Sequence, residues 1–434
     1  MLHHTKAPYL GAAYYPELWP AENVANDIEQ MKEAGCNLMR IGEFAWISME
    51  PREGDYQFDW LGKVLDQLHA ADIAVVLCTP TATPPQWLTD QYPETVLMRP
   101  TGVRLQHGAR RHNCPNSPVM RHYNHLIVTE MARRLGKHPA LVGWQIDNEL
   151  YPYNLCCCPV CTDKFQQWLK EQYGTVEALN DAWGMARWSL SYTCFDSIKP
   201  PLPDMWNHPT LSAKWMEFQG DSWINFAHEQ AADIRRWSDA PIGTDMMPVL
   251  GLNYYKMNAK LDVVQFNHYN NFDTLYLVSM WMDFLRCVKP DVPFWNTETQ
   301  TCWNGAYSIS DGVRPEGFCR VNTWLPLAFG GEMNLYWLWK CHPNGHELMH
   351  GSVVSPAGRF LHMLGEVQQC SQEFEKAADF LQSTKVTSTV ALHAAYQSWL
   401  NFSYVPVKQD FQYWDRLFTT FYQPLTFHNH IQMD

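Results

Sequence analysis

The sequence predicts a (β/α)8 barrel on three observations. Short apolar, β-rich runs alternate with helical segments eight times within about 360 residues. No glycine-rich phosphate loop follows the first run, which argues against an open nucleotide-binding sheet. Two segments too long for plain connectors, 79–120 and 150–210, follow the third and fourth runs. Barrels build their sites from such excursions at the C-terminal ends of strands.

The elements follow in order. The first strand is expected over 9–15 and ends in Pro16-Glu-Leu-Trp19. A helix over 26–34 is closed by Gly35, a residue suited to a left-handed C-cap. Strand two is expected over 36–41, a helix over 60–70, and strand three over 73–78. An amphipathic helix over 121–135 precedes strand four, 141–146. Helices follow over 165–173 and 215–237. Strand five then spans 241–243, strand six 262–266, strand seven 293–295 and strand eight 333–337.

A chain of 434 residues exceeds the roughly 250–300 at which one core stops growing. One large domain, 1–380, and a smaller piece, 381–434, are therefore expected. In the second piece a strand over 386–393 and a helix over 409–422 cannot bury a core alone. They read as the opening of an incomplete α/β domain, or as an appendage docked on the barrel.

Net charge is −13, and an acidic surface repels phosphate backbones, so nucleic acid is not an expected partner. The N-terminus lacks an apolar run of signal-peptide length, and no stretch approaches the roughly 20 apolar residues of a membrane span. The expected location is the cytoplasm. The 20 Trp, 20 Tyr and 20 Phe supply either a large aromatic core or platforms for sugar rings.

Two glutamates carry the candidate chemistry. Trp144-Gln-Ile-Asp-Asn-Glu149 falls where strand four ends, and Phe294-Trp-Asn-Thr-Glu298 where strand seven ends. Strands four and seven are expected to face each other across the barrel. Glycoside hydrolysis uses such a pair: one carboxylic acid protonates the leaving oxygen, and the other attacks the anomeric carbon or activates water. A separation of about 5–5.5 Å gives retention. The alternative is a pair of solvated or salt-bridged strand-end carboxylates.

The short spacing of Cys156, Cys158 and Cys161, with Cys114 from the preceding excursion, suits tetrahedral Zn²⁺ in an all-thiolate, structural site. The alternative is a set of free or partly oxidised thiols, and Cys157 is a spare that could compete. Cys36 and Cys78 read as core residues.

The chain resembles glycoside hydrolase family 42, the β-galactosidases of clan A. The marks are Tyr14-Tyr-Pro-Glu-Leu-Trp19, Met39-Arg-Ile-Gly-Glu-Phe-Ala-Trp46, Pro80-Thr-Ala-Thr-Pro-Pro-Gln-Trp87, Arg110-Arg-His-Asn-Cys-Pro-Asn-Ser117, the run 144–149, Leu179-Asn-Asp-Ala-Trp-Gly184 and Glu347-Leu-Met-His350.

The resemblance implies retaining hydrolysis of terminal β-D-galactosyl residues, with Glu149 as acid/base, Glu298 as nucleophile and no catalytic cofactor. It implies that Asn148 bonds the sugar 2-hydroxyl and that Arg110, Trp188, Glu347 and His350 bind the sugar. Glu347 and His350 would grip the 4- and 6-hydroxyls. Tyr269 would stand against the nucleophile or serve as a wall aromatic. Structural zinc at the four cysteines is implied as well.

Two positions depart from the family pattern. Ala306 stands where a tryptophan is usual, with Trp303 as a substitute, and Lys340 where an arginine is usual. The run 386–393, then Ser398-Trp399, resembles the first strand of a flavodoxin-like trimerisation domain, which this chain does not complete. The homotrimer of the family is accordingly not expected of this chain. The rival readings are an α-L-arabinopyranosidase or other clan A β-glycosidase, and a non-catalytic sugar-binding barrel.

Overall fold

The computed structural model describes residues 7–152, 155–305 and 312–434. The N-terminal residues 1–6 and Ala306 lie outside them. Nine parallel strand segments occupy eight positions of a nearly closed barrel: β1 (Tyr9–Tyr14), β2 (Leu38–Ile41), β3 (Ala74–Cys78), β4 (Leu141–Gln145), β5 (Ile242–Gly243 and Asp245–Met246), β6 (Gln265–His268), β7 (Trp295–Gln300) and β8 (Met333–Trp337). β1 pairs with both β2 (Gly11↔Leu38) and β8 (Tyr9↔Met333). The fifth strand is split. Its first piece pairs with β4 and its second with β6, so Thr244 carries the ring across the break.

The strand segments are almost wholly buried, as expected for a sheet covered on both faces. Outside them, the helix Asp59–Ala70 turns Leu61, Val64, Leu65 and Leu68 inward, the stripe that its apolar spacing dictates. The helix Pro118–Leu135 begins at Ser117, whose hydroxyl accepts from the Met120 amide, with Pro118 at the first helical position. Gly35 closes the helix Asn23–Ala34 in the left-handed conformation.

The departures from expectation share a cause. β7 runs through Gln300 rather than ending at 295, and β6 runs to His268 rather than 266. Asn-Thr-Glu-Thr-Gln and Asn-His are polar, so an apolar pattern stops short of them, yet each of these residues is buried. β4 and β7 stand three places apart through β5 and β6 rather than facing each other. The helix expected from 215 spans Pro209–Ile234, started by the His208 cap and Pro209.

The strand expected over 386–393 is reduced to one bridge, Val390 to Met433. The helix expected over 409–422 is Tyr413–Leu417 followed by a π-helical turn, Phe418–Tyr422. This segment packs on the helix Val278–Val288. Trp414 stacks on Trp281 at 3.9 Å between ring centroids, Tyr422 Oη donates to Asp283 at 2.6 Å, and Arg286 pairs with Asp434 at 2.6 Å.

Gly11 marks the tightest approach among the strand glycines, because a Cβ there would lie 1.7 Å from the Leu38 carbonyl oxygen. We expect Gly11→Ala to destabilise the chain by about 3 kcal/mol or more. Gly62→Ala, on a helix where a Cβ meets only Leu135 at 3.9 Å, should stabilise it by about 0.8–1 kcal/mol. Urea unfolding of both variants checks the opposite signs.

Candidate active site

The C-terminal ends of the strands are polar and converge on one buried cation. Arg40, on β2, is fully buried and lies 2.8 Å from Glu43, 2.8 Å from Glu298 and 3.6 Å from Asp245. Its Nη1 also donates to Gln145 at 3.1 Å. Three acids thus share one guanidinium. Burial, reinforced by the Glu298 charge, pushes the Asp245 carboxyl well above the usual range. Burial also raises Glu43 to about 8, with Arg40 opposing and Glu298 adding to the shift.

Glu298 lies within the polar half of β7. One carboxylate oxygen accepts from Arg40 at 2.8 Å and the other from the Tyr269 hydroxyl. Glu149 follows β4 on a tight turn. Its Oε1 accepts from Asn267 Nδ2 at 2.7 Å, and its Oε2 meets Arg111 at 2.9 Å and Arg110 at 3.2 Å. Asn267 is the register partner of Glu298 between β6 and β7. The Glu149 carboxylate therefore rests on the residue beside Glu298, which brings the two acids to one place although their strands are not neighbours.

The turn is held in costly backbone. Asp147 and Glu149 have φ of 53° and 48°, conformations costing on the order of 1–3 kcal/mol each for residues with a side chain. Thr79 and Thr81 offset this from the chain just after β3. The Thr79 hydroxyl accepts from the Asp147 amide at 2.8 Å, and the Thr81 hydroxyl donates to the Asp147 carboxylate at 2.5 Å. The Asn148 amide, oriented by its neighbours, donates to Asp245 at 3.2 Å and accepts from Arg110 at 2.8 Å.

The residues expected from the loop after β8 also reach this cluster. Burial raises Glu347 to about 7; Arg110 opposes the shift, and the charges of Glu298 and Glu149 add to it. His350 is buried, with its ring 5.8 Å from Tyr269 and 6.5 Å from Trp337. Trp303 donates to the Met349 carbonyl at 2.6 Å, which ties it to the same loop. Lys340 pairs with buried Asp27 at 3.3 Å and sits 4.3 Å over Trp19.

Trp188 is the exception. It is 68% exposed in a short turn of the second excursion, and its ring partner is Trp206, at 4.9 Å, rather than any residue of the carboxylate cluster.

The four cysteines do meet. All four sulfur atoms lie within 4.8 Å of one another, and Cys114 Sγ is 3.8 Å from Cys158 and 3.5 Å from Cys161. Four sulfurs around a tetrahedral ion at about 2.3 Å would stand about 3.8 Å apart. The Asn116 side chain and the Met98 amide direct N–H groups at Cys161 and Cys156, at 3.4 and 3.5 Å. Such donors stabilise thiolates. The cluster ties the excursion after β3 to the one after β4. Cys157 points instead toward the Leu155 carbonyl, and Cys36 and Cys78 are buried in the core.

Sequence reading missed Arg40, Glu43, Asp245, Asn267 and Arg111 as members of the site. Arg40 carried a usable signal, since an arginine inside Leu-Met-Arg-Ile of a buried strand requires an acidic partner. Asp245 and Asn267 did not, because their strands are short and polar.

A parallel barrel whose strand ends gather two glutamates around a buried arginine has the architecture of the barrel glycosidases. The chain belongs to glycoside hydrolase family 42: the family model, described as β-galactosidase, matches residues 13–377. It is 36% identical over 352 residues to β-galactosidase YesZ of Bacillus licheniformis, covering 81% of this chain and 53% of that protein. It is 35% identical over 384 residues to a β-galactosidase of Thermus thermophilus, covering 80% and 57%. The crystal structure of a β-galactosidase from Rahnella sp. R3 superposes with a TM-score of 0.94 at 28% identity, over 99% of this chain and 65% of that one. The chain thus spans about half the length of the first of these relatives.

Glu43 makes stability depend on pH. Its folded value of about 8 stands above the ordinary 4.5, so the native state holds a proton that the unfolded chain releases. The stabilisation is complete below about 4.5 and is lost as pH rises through about 8. Melting temperature should therefore fall across that window, and Glu43→Gln should make the fall shallower. Identical slopes in the two proteins would refute this.

Proposed function

We propose that the protein hydrolyses terminal non-reducing β-D-galactosyl residues with retention, through a covalent glycosyl-enzyme on Glu298. The observation that carries this reading is the contact between the Glu149 carboxylate and Asn267, the register partner of Glu298. Glu149 gives its proton to the glycosidic oxygen as Glu298 attacks the anomeric carbon, then takes a proton from the water that releases the sugar. Arg40 and Tyr269 hold the Glu298 carboxylate for in-line attack.

Asn148 is assigned to the 2-hydroxyl, and Arg110, Glu347 and His350 to the sugar's other hydroxyls. Charge-assisted bonds from these groups select an axial 4-hydroxyl. Trp303 is assigned to the pocket wall. Trp188 is assigned to the sugar as well, from the surface of the second excursion.

In this reading residues 1–380 are the catalytic unit, and 381–434 belong to a trimerisation-type α/β segment. Among the described residues, no helix is long and apolar enough to cross a membrane, and the cytoplasm is the proposed location.

The roles of the two glutamates are separable. Glu298→Gly should be inactive alone and, with azide, should yield a galactosyl azide of inverted, α configuration. Product stereochemistry by NMR decides it, and a β product or an unimpaired variant would remove Glu298 as nucleophile. Glu149→Gln should lower kcat/KM on substrates with poor leaving groups by about 10²–10⁴.

We also propose that Cys114, Cys156, Cys158 and Cys161 hold one structural Zn²⁺. When bound, the ion cross-links the two excursions; with four thiolates it keeps no open position for substrate. Elemental analysis should find about one zinc per chain. A chelator or Cys158→Ser should lower the melting temperature, and a chain that is metal-free as purified and indifferent to chelation would refute the site.

A further inference from the structure

Arg111 has no assigned part, yet it makes the most extensive contact with the turn that carries Glu149. Its Nη2 donates to the Asn148 carbonyl at 3.1 Å and to Glu149 Oε2 at 2.9 Å, while its Nη1 donates to the Glu149 carbonyl. One planar guanidinium thus spans two successive backbone oxygens and the carboxylate between them. A point-charge ammonium could not reproduce that fork. Arg111 and Glu149 both hold left-handed backbone, with φ of 63° and 48°. Such conformations persist only where surrounding contacts over-determine them. Arg111 also lies three residues before Cys114, on the loop that the cysteine cluster fastens to the chain following Glu149.

Arg110 differs. It contacts the same carboxylate at 3.2 Å, is more exposed than Arg111, and divides its charge between Asn148, Glu149 and Glu347. The groups on the Glu149 carboxylate (Asn267, Arg110 and Arg111) are all donors. Asp245, Glu347 and Tyr269 face it from the surrounding strands and loop, and each of them also faces Glu298.

We propose that Arg111 is the positioning residue of the acid/base carboxylate. It fixes the carboxylate's direction and stabilises the ionised form that exists between the two steps. The proposal rests on the reading of Glu149 above. In the first step the Glu149 O–H bond breaks and its proton passes to the glycosidic oxygen. The C1–O bond breaks toward that oxygen while Glu298 bonds to C1. The carboxylate left on Glu149 then faces Arg111 until water gives up a proton to it, bonds to C1 and displaces Glu298.

The test measures kcat/KM of wild type, Arg111→Gln, Arg111→Lys and Glu149→Gln on phenyl and 2,4-dinitrophenyl β-galactosides across pH. The dinitrophenolate leaves without a proton, so it reports whether acid assistance is what was lost. Arg111→Gln should lose about 10–10²-fold on the phenyl substrate and less than about threefold on the dinitrophenyl one. The basic limb of its phenyl profile should move to higher pH, because removing a cation favours the protonated acid. Arg111→Lys should recover the limb but only part of the rate.

Equal losses on both substrates with an unmoved limb, or no loss, would overturn the clamp. If Glu149→Gln shows leaving-group dependence and Arg111→Gln does not, the clamp alone fails. If Glu149→Gln lacks it, the reading of Glu149 falls and the clamp with it.

Discussion

A single guanidinium buried in the barrel, that of Arg40, is what allows three carboxylates to share a space sealed from bulk water. Removing ions from water costs several kcal/mol each, and only close pairing with good geometry offsets it. Arg40 meets Glu43 and Glu298 at 2.8 Å and Asp245 at 3.6 Å. The surplus of negative charge is absorbed by raised proton affinities in Asp245 and Glu43. The site is therefore an electrostatic unit, in which the condition of one acid depends on the others.

The same demand explains the composition of the strands. A barrel lined only with branched aliphatic side chains would be an inert core. Here the lower layers are apolar, with Leu38, Ala74, Val76, Val263, Met333 and Leu335 packed together. The upper ends of β6 and β7 are polar and buried. Asn267 on β6 and Tyr269 just beyond its end serve both glutamates, one bonding Glu149 and the other Glu298.

Rigidity around the acid/base turn comes from outside the barrel as well as from it. Thr79 and Thr81 hold Asp147 from the start of the excursion after β3, and Arg111 holds the turn from further along it. The cysteine cluster joins that excursion to the chain beyond Glu149. Loops that carry functional groups in left-handed backbone need such external ties, because the turn alone would relax to a cheaper conformation.

By itself the sequence determined the alternation of strands and helices, the order of the barrel and the two glutamates at strand ends. Apolar periodicity and helix caps are local properties that survive without a partner. It also determined the cysteine quartet, since thiol spacing on one loop limits what the thiols can do. Tertiary structure alone decided which polar residues join the site. Asp245 lies on the second piece of a split, very short strand, and Asn267 on the polar end of β6, beyond the apolar run that marks each strand. Arg111 looks like a neighbour of Arg110 until folding aims its guanidinium at the Glu149 turn. The exposed position of Trp188 and the docking of residues after 386 on the helix Val278–Val288 were likewise set by packing between distant segments. Sequence patterns report which face of an element is buried; which buried polar groups meet is fixed only when the barrel closes.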